Sequence, residues 1–191
     1  ASCTLLKTRA CRPTEADYNP GMNSTPPTLD TLGFIGLGNM GAAMAGHLCK
    51  AGYTVLAWAR NASTFEALTD IPLVPQPSIE ALCAGTRLVA LNVTNTADVQ
   101  SLLFRDGGIA QHAQTGSIIV DFSTIDAAAV AEIARSLKAR QVDYIDCPVS
   151  GGAAGARAAT LSMMAGGDLA AFNRIEPMLK HLGKTIRHVG P

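Results

Sequence analysis

The chain has 191 residues, 48% of them hydrophobic and 16% charged, with a formal net charge of zero. That is enough for one full core with additions, and a neutral chain without a basic run argues against nucleic acid or an anionic membrane as its primary partner. No stretch approaches the roughly 18 consecutive apolar residues of a membrane span; five scattered cysteines (Cys3, Cys11, Cys49, Cys83, Cys147) and four dispersed histidines lack metal-ligand spacing, so reduced thiols, a cytoplasmic location and no metal site are expected.

Residues 1–30 are polar, proline-bearing and aperiodic, and are expected to be disordered. They lack the apolar segment of a secretory signal, and Met22 is a plausible native start. Residues 31–191 form the expected folded domain. It opens on a short apolar strand, Leu32-Gly33-Phe34-Ile35, followed by Gly36-Leu37-Gly38-Asn39-Met40-Gly41 and a helical pattern through Met44, Leu48 and Ala51. In a strand–turn–helix setting the three glycines have separate roles. Gly36 permits the tight turn, Gly38 lets a pyrophosphate approach the backbone, and Gly41 lets the helix pack closely on the strand. The free N–H groups at the start of the helix then face the phosphates.

The second strand, Tyr53-Thr54-Val55-Leu56-Ala57-Trp58, bears on which dinucleotide binds. NAD-binding chains usually end this strand with an acid that holds the ribose hydroxyls. Here Ala59 stands at that position, followed by Arg60 and Asn61. An arginine pairs with a 2′-phosphate, a charge-assisted bond worth roughly 1.5–3 kcal/mol. A preference for NADP(H) is therefore expected, with Arg60 as the discriminator and Asn61 and Ser63 as helpers.

Further along, Ser78 caps a helix starting at Ile79 and stopping at Gly85, and Leu88-Val89-Ala90-Leu91 is a buried-type strand. Asn95 or Thr96 caps a helix through Ala97, Val99, Leu102 and Leu103. A strand at Ile118-Ile119-Val120 ends on Asp121, and a helix from Asp126 carries the stripe Val130, Ile133, Ala134 and Leu137. Val142 to Ile145 is another strand; Leu161 to Met164, a helix from Asp168 to about Leu182, and Ile186 to Val189 complete the series. Strands alternating with helices argue for a doubly wound, mostly parallel sheet. Met40, Met44, Met163 and Met164 read as core filler.

Two loops leave the carboxyl ends of strands, where ligands bind in such sheets. One is Asp121-Phe122-Ser123-Thr124; the other is Asp146-Cys147-Pro148-Val149-Ser150-Gly151-Gly152, running on through Ala153 to Ala156. A Ser-Gly-Gly after a proline offers a hydroxyl and backbone N–H groups to a carboxylate. Glycines alone also suit a plain flexible turn.

The ordered motifs G-F-I-G-L-G-N-M-G, D-F-S-T, D-C-P-V-S-G-G-A-A-G-A and T-L-S-M-M-A-G-G resemble the β-hydroxyacid dehydrogenases, from about Leu32 to Pro191. The resemblance implies the family's Rossmann-type α/β domain, without its all-α C-terminal domain. It also implies that Ser150, Gly151 and Gly152 bind the carboxylate of a small substrate, that Ser123 lies beside the nicotinamide and substrate, and that Asn92-Val93-Thr94 runs along the cofactor. The expected cofactor residues are thus Gly36, Leu37, Gly38, Asn39, Met40, Gly41, Arg60, Asn61, Val93 and Thr94. Two positions depart from the family pattern: Cys147 replaces an alanine, and Ala159 replaces a glycine.

Members of the family use a lysine as general acid and base, in a G-x-G-x-x-x-K segment beyond the match to His188-Val189-Gly190-Pro191. Neither Lys180 nor Lys184 occupies that position. The resemblance therefore implies the NADP(H)-binding half of an oxidoreductase acting between a small 3-hydroxy acid and its semialdehyde, inactive alone, from a protein that is a homo-oligomer at full length. Imine reductases, 6-phosphogluconate dehydrogenases and non-catalytic NADP-binding modules share the fold. The Ser150-Gly151-Gly152 segment argues against the first, and the residue at the lysine position separates the last.

Overall fold

The computed structural model describes residues 29–191. The disorder expected of residues 1–30 falls almost wholly outside them, and Leu29 already packs against the core. The chain starts with β1 (Thr31–Ile35), α1 (Gly41–Lys50), β2 (Thr54–Trp58), α2 (Ser63–Glu66) and β3 (Val74–Pro75). It continues through α3 (Ile79–Gly85), β4 (Leu88–Leu91), α4 (Thr96–Phe104), α5 (Ile109–His112), β5 (Ile118–Asp121) and α6 (Ala127–Lys138). The last part comprises β6 (Asp143–Asp146), β7 (Val149–Ser150), α7 (Gly152–Ala158), β8 (Leu161–Gly166), α8 (Leu169–Leu179) and β9 (Gly183–Gly190).

Six strands, in the order β3-β2-β1-β4-β5-β6, run parallel. Both faces are covered, as parallel sheets require. Leu32 and Phe34 of β1, Leu88 and Ala90 of β4, and Ile118 and Val120 of β5 face one layer, with α1 and α8. Ile35, Val89, Leu91 and Ile119 face the other, with α3, α4, α5 and α6. The period-two alternation of the pleat thus splits one apolar run between two cores.

The far edge departs from the parallel pattern. β6 pairs antiparallel with β8 at Asp146 and Gly166, and β7 pairs antiparallel with β8 through Val149–Met163 and Ser150–Ser162. β7 is therefore the continuation of β6, interrupted at Cys147-Pro148, and it carries the chain beyond the carboxyl edge of the parallel sheet. β9 runs parallel to β8.

Of the two capping residues expected for α4, Asn95 is the cap: its side chain accepts the Asp98 N–H, and Thr96 is the first helical residue. Other local expectations are corrected. The buried stripe of α6 is Ala129, Ile133 and Leu137; Val130 and Ala134 are only partly buried. The last long helix ends at Leu179, three residues before Leu182. Met44 and Met163 are core residues, but Met164 is 45% exposed because it lies on the outward face of β8. Residues 152–156, expected as the end of a glycine-rich loop, lie in α7, which runs on to Ala158.

Candidate functional site

At the carboxyl ends of β1, β2 and β4 the chain leaves a cleft of about 360 Å³. Ile35, Gly36, Leu37 and Gly38 form its floor; Trp58, Ala59, Arg60, Asn61 and Thr64 form one wall; Val93 and Leu102 form the other. The glycines behave differently from one another. Gly36 has φ +98°, and a Cβ there would collide with the Asn92 carbonyl at the end of β4. A Cβ on Gly41 would collide with the Gly36 carbonyl. A Cβ on Gly38 would meet no protein atom within 4 Å. Two glycines therefore bring backbone against backbone, and the middle one leaves room for a ligand. The first helical hydrogen bond runs from the Ala42 N–H to the Gly38 carbonyl at 2.9 Å. The residues fit a dinucleotide, with a glycine floor for the diphosphate at the start of α1.

Arg60 stands at the rim, its side chain 79% exposed, with its guanidinium 3.7 Å from the Asp98 carboxylate of α4. Asp98 is itself fixed. Its N–H donates to the Asn95 side-chain oxygen at 2.9 Å, and its other carboxylate oxygen accepts from the Asn95 amide at 3.0 Å. The guanidinium of exposed Arg105, the residue after α4, lies 5.3 Å from the centre of the Trp58 ring at the end of β2, a cation–π contact.

A buried network lies behind Val93. Ser123 is 2% exposed, and its hydroxyl oxygen accepts the Val93 N–H at 2.9 Å. The Ser123 N–H donates to Asp121 at 2.9 Å, and the Tyr144 hydroxyl donates to the other Asp121 oxygen at 2.7 Å. Asp121 has no exposed surface, so burial pushes its carboxyl up, against the hydrogen bonds from Ser123 and Tyr144. Burial, then the Asp121 charge, push the Tyr144 hydroxyl far up, so it remains a donor. In the next strand Asp146, the register partner of Asp121, is raised to about 6, first by burial and then by Asp121. Cys147 is fully buried, and burial pushes its thiol up to about 12, which leaves no nucleophile.

Beyond this network lies the Ser-Gly-Gly segment. Ser150, Gly151 and Gly152 are all exposed, with φ +130° at Gly151 and +57° at Gly152. These angles turn the chain from β7 directly into α7. The helix ends at Ala159 with φ +52°, its N–H bonded to Ala156 and the Thr160 N–H to Gly155, a Schellman turn. A non-glycine residue thus occupies a left-handed position.

Of the expected cofactor residues, Gly36, Leu37, Gly38, Arg60, Asn61 and Val93 line one cleft. Asn39, Met40 and Gly41 lead from that floor into α1, and exposed Thr94 follows Val93. Ser63 does not line the cleft, whereas its neighbour Thr64 does. Sequence reasoning missed Trp58, Leu102 and Asp98. For Trp58 a signal existed, since it is the last residue of β2 and side chains at strand ends border such clefts. Among the described residues no group of histidine, cysteine or acidic side chains could hold a metal, and no helix is long and apolar enough to cross a membrane.

The family described as the NAD binding domain of 6-phosphogluconate dehydrogenase matches residues 31–190. The fold, the cleft and this match define a nicotinamide-dinucleotide-binding domain. The chain is 37% identical over 159 residues to the 2-hydroxy-3-oxopropionate reductase of Escherichia coli, covering 83% of this chain and 54% of that protein. It is 34% identical to the 2-(hydroxymethyl)glutarate dehydrogenase of Eubacterium barkeri, over 83% of this chain and 53% of that one. Among solved structures, Psf3 in complex with NADP+ and 2-OPP superposes with a TM-score of 0.80 at 32% identity, over 83% of this chain and 56% of that one. The chain belongs to the β-hydroxyacid dehydrogenase family and corresponds to its N-terminal, cofactor-binding domain. It spans about half the length of the curated relatives it matches.

Proposed function

We propose that this chain is the NADP(H)-binding part of an enzyme that transfers a hydride between NADP(H) and a small 3-hydroxy acid or its semialdehyde. The observation that carries the reading is the pairing of a glycine floor with Arg60 on the rim of the same cleft, where an NAD-type acid is replaced by Ala59. Gly36, Gly38 and the start of α1 hold the diphosphate, and Arg60 and Asn61 hold the phosphorylated ribose. Val93 and Thr94 border the cofactor on the side held by Ser123, and Ser150, Gly151 and Gly152 take the substrate carboxylate. A bound nicotinamide supplies or accepts the hydride. The proton on the carbonyl oxygen needs a separate acid, which the family resemblance assigns to a lysine with no counterpart in residues 31–191. Lys180 is engaged by Glu176 at 3.2 Å at the end of α8, which suits a structural role. The 191 residues by themselves therefore bind NADP(H) and turn over little or nothing. The full-length enzyme is read as a cytoplasmic homo-oligomer acting on a small carboxylate.

Titration calorimetry tests the reading. The chain should bind NADPH more tightly than NADH, and Arg60→Ala should reduce the preference by about ten- to a hundredfold, the worth of one charge-assisted bond. Equal affinities for both nucleotides in the unmodified chain would remove the NADP(H) assignment. Semialdehyde reduction by these 191 residues would remove the assignment of the acid to a lysine outside them.

A further inference from the structure

Arg60 does not face the cleft alone. Its guanidinium lies 3.7 Å from one oxygen of Asp98, and the other Asp98 oxygen is tied to the Asn95 amide at 3.0 Å. The Asp98 backbone N–H completes the reciprocal pair with the Asn95 side chain, so the carboxylate is anchored to the first turn of α4. These bonds tether it more than a free surface acid. Arg60, by contrast, has a long side chain that is 79% exposed, and it can move. A fixed carboxylate and a mobile guanidinium therefore meet across the mouth of the adenosine end of the cleft.

A 2′-phosphate carries about −1.5 to −2 charges at neutral pH, as phosphate monoesters do. To bind Arg60 it must take the guanidinium from Asp98 or share it. Sharing puts two anions on one cation, within the roughly 8 Å Debye length of physiological salt, where their repulsion is incompletely screened. A 2′-hydroxyl meets neither cost. We propose that Asp98 is a specificity-determining residue acting against the phosphorylated cofactor: it competes with the 2′-phosphate for Arg60, weakens NADP(H) selectively, and leaves NAD(H) untouched. This rests on the reading of Arg60 as the 2′-phosphate ligand.

The test is Asp98→Asn, measured by calorimetry with NADPH and NADH. Asparagine keeps a side-chain oxygen for the Asn95 amide, and the backbone cap is unaffected, so α4 keeps its start. The expected result is NADPH binding about two- to fivefold tighter, the range of an exposed ion pair, with the NADH dissociation constant constant within about twofold on the same scale. The gain should vanish in an Arg60→Ala background. An unchanged or lowered NADPH-to-NADH affinity ratio in Asp98→Asn overturns the inference; if Arg60→Ala still abolishes the preference, the functional reading survives that result. A gain that persists without Arg60 overturns it as well, because general repulsion would then explain it. If Arg60→Ala leaves the preference intact, both fall together.

Discussion

The Val93 N–H donates to the Ser123 hydroxyl at 2.9 Å, tying the loop after β4 to the loop after β5. Ser123 is thereby a strut of the cleft, since Val93 lines it. Ser123→Ala leaves the Val93 N–H without this acceptor in a part-buried position, at an expected cost of about 1–3 kcal/mol. Urea unfolding should report that loss, and NADPH affinity should fall with it. A variant with unchanged stability and affinity would show that the strut does nothing.

The glycines of the cofactor turn should separate on substitution. Gly38→Ala adds a methyl that touches no protein atom, so its unfolding free energy should stay within about 0.5 kcal/mol of the parent while NADPH binding weakens roughly tenfold or more. Gly41→Ala drives a methyl into the Gly36 carbonyl, and overpacking of this kind costs about 1–3 kcal/mol before any effect on binding. Thermal melts with and without NADPH distinguish the two; a Gly38→Ala chain that binds normally would argue against the diphosphate position.

Asp146 should make the protein less stable as pH rises. Its folded-state carboxyl is raised to about 6 from 3.8, by burial and by Asp121, so between those values the folded chain holds the proton more tightly than the unfolded one. Its contribution to stability therefore declines from pH 4 to pH 6, and the full cost persists above that window. Asp146 is half-buried, and solvent screening reduces the cost to about 1 kcal/mol. Asp146→Asn should be more stable than the parent by that amount at pH 7 and equal to it below pH 4. Denaturant curves at both values decide; an advantage independent of pH would point to packing instead.

Ala159→Gly should stabilise the chain. The left-handed conformation at φ +52° costs an alanine roughly 1–2 kcal/mol, partly offset by the greater freedom of glycine in the unfolded chain. A net gain of about 0.5–1 kcal/mol is expected from differential scanning calorimetry. A lower melting temperature would mean that the Schellman turn relaxes in solution.

The five inner parallel strands, β1, β2, β4, β5 and β6, were legible because each is a bounded apolar run; α1 was legible from the apolar pattern after the glycine turn, α3 from its Ser78 cap, and α6 from its Asp126 start and apolar stripe. The pieces that escaped have physical reasons. α7 reads Gly-Ala-Ala-Gly-Ala-Arg-Ala, which has no apolar stripe; it buries Gly155 and Ala156, small residues that give no periodic signal. α2 and α5 are single turns of four residues, and β3 is a two-residue edge strand ending in Pro75. The antiparallel pairing of β8 depends on contacts distant in sequence, which local pattern does not carry. For the site, the glycine turn and Arg60 were readable from residue type and spacing. Asp98 was not, because an acid in the first turn of a helix is ordinary, and only the fold brings it across the cleft to Arg60.

Trp58 is the chain's single tryptophan, and it forms part of the cleft wall with Arg105 against its ring. Its emission therefore comes from one address in the molecule. A ligand entering the cleft changes the hydration of the indole or the position of the guanidinium on it, and reduced nicotinamide nucleotides absorb where tryptophan emits. The unlabelled protein thus carries an intrinsic fluorescent gauge of cleft occupancy, free of background from any other indole.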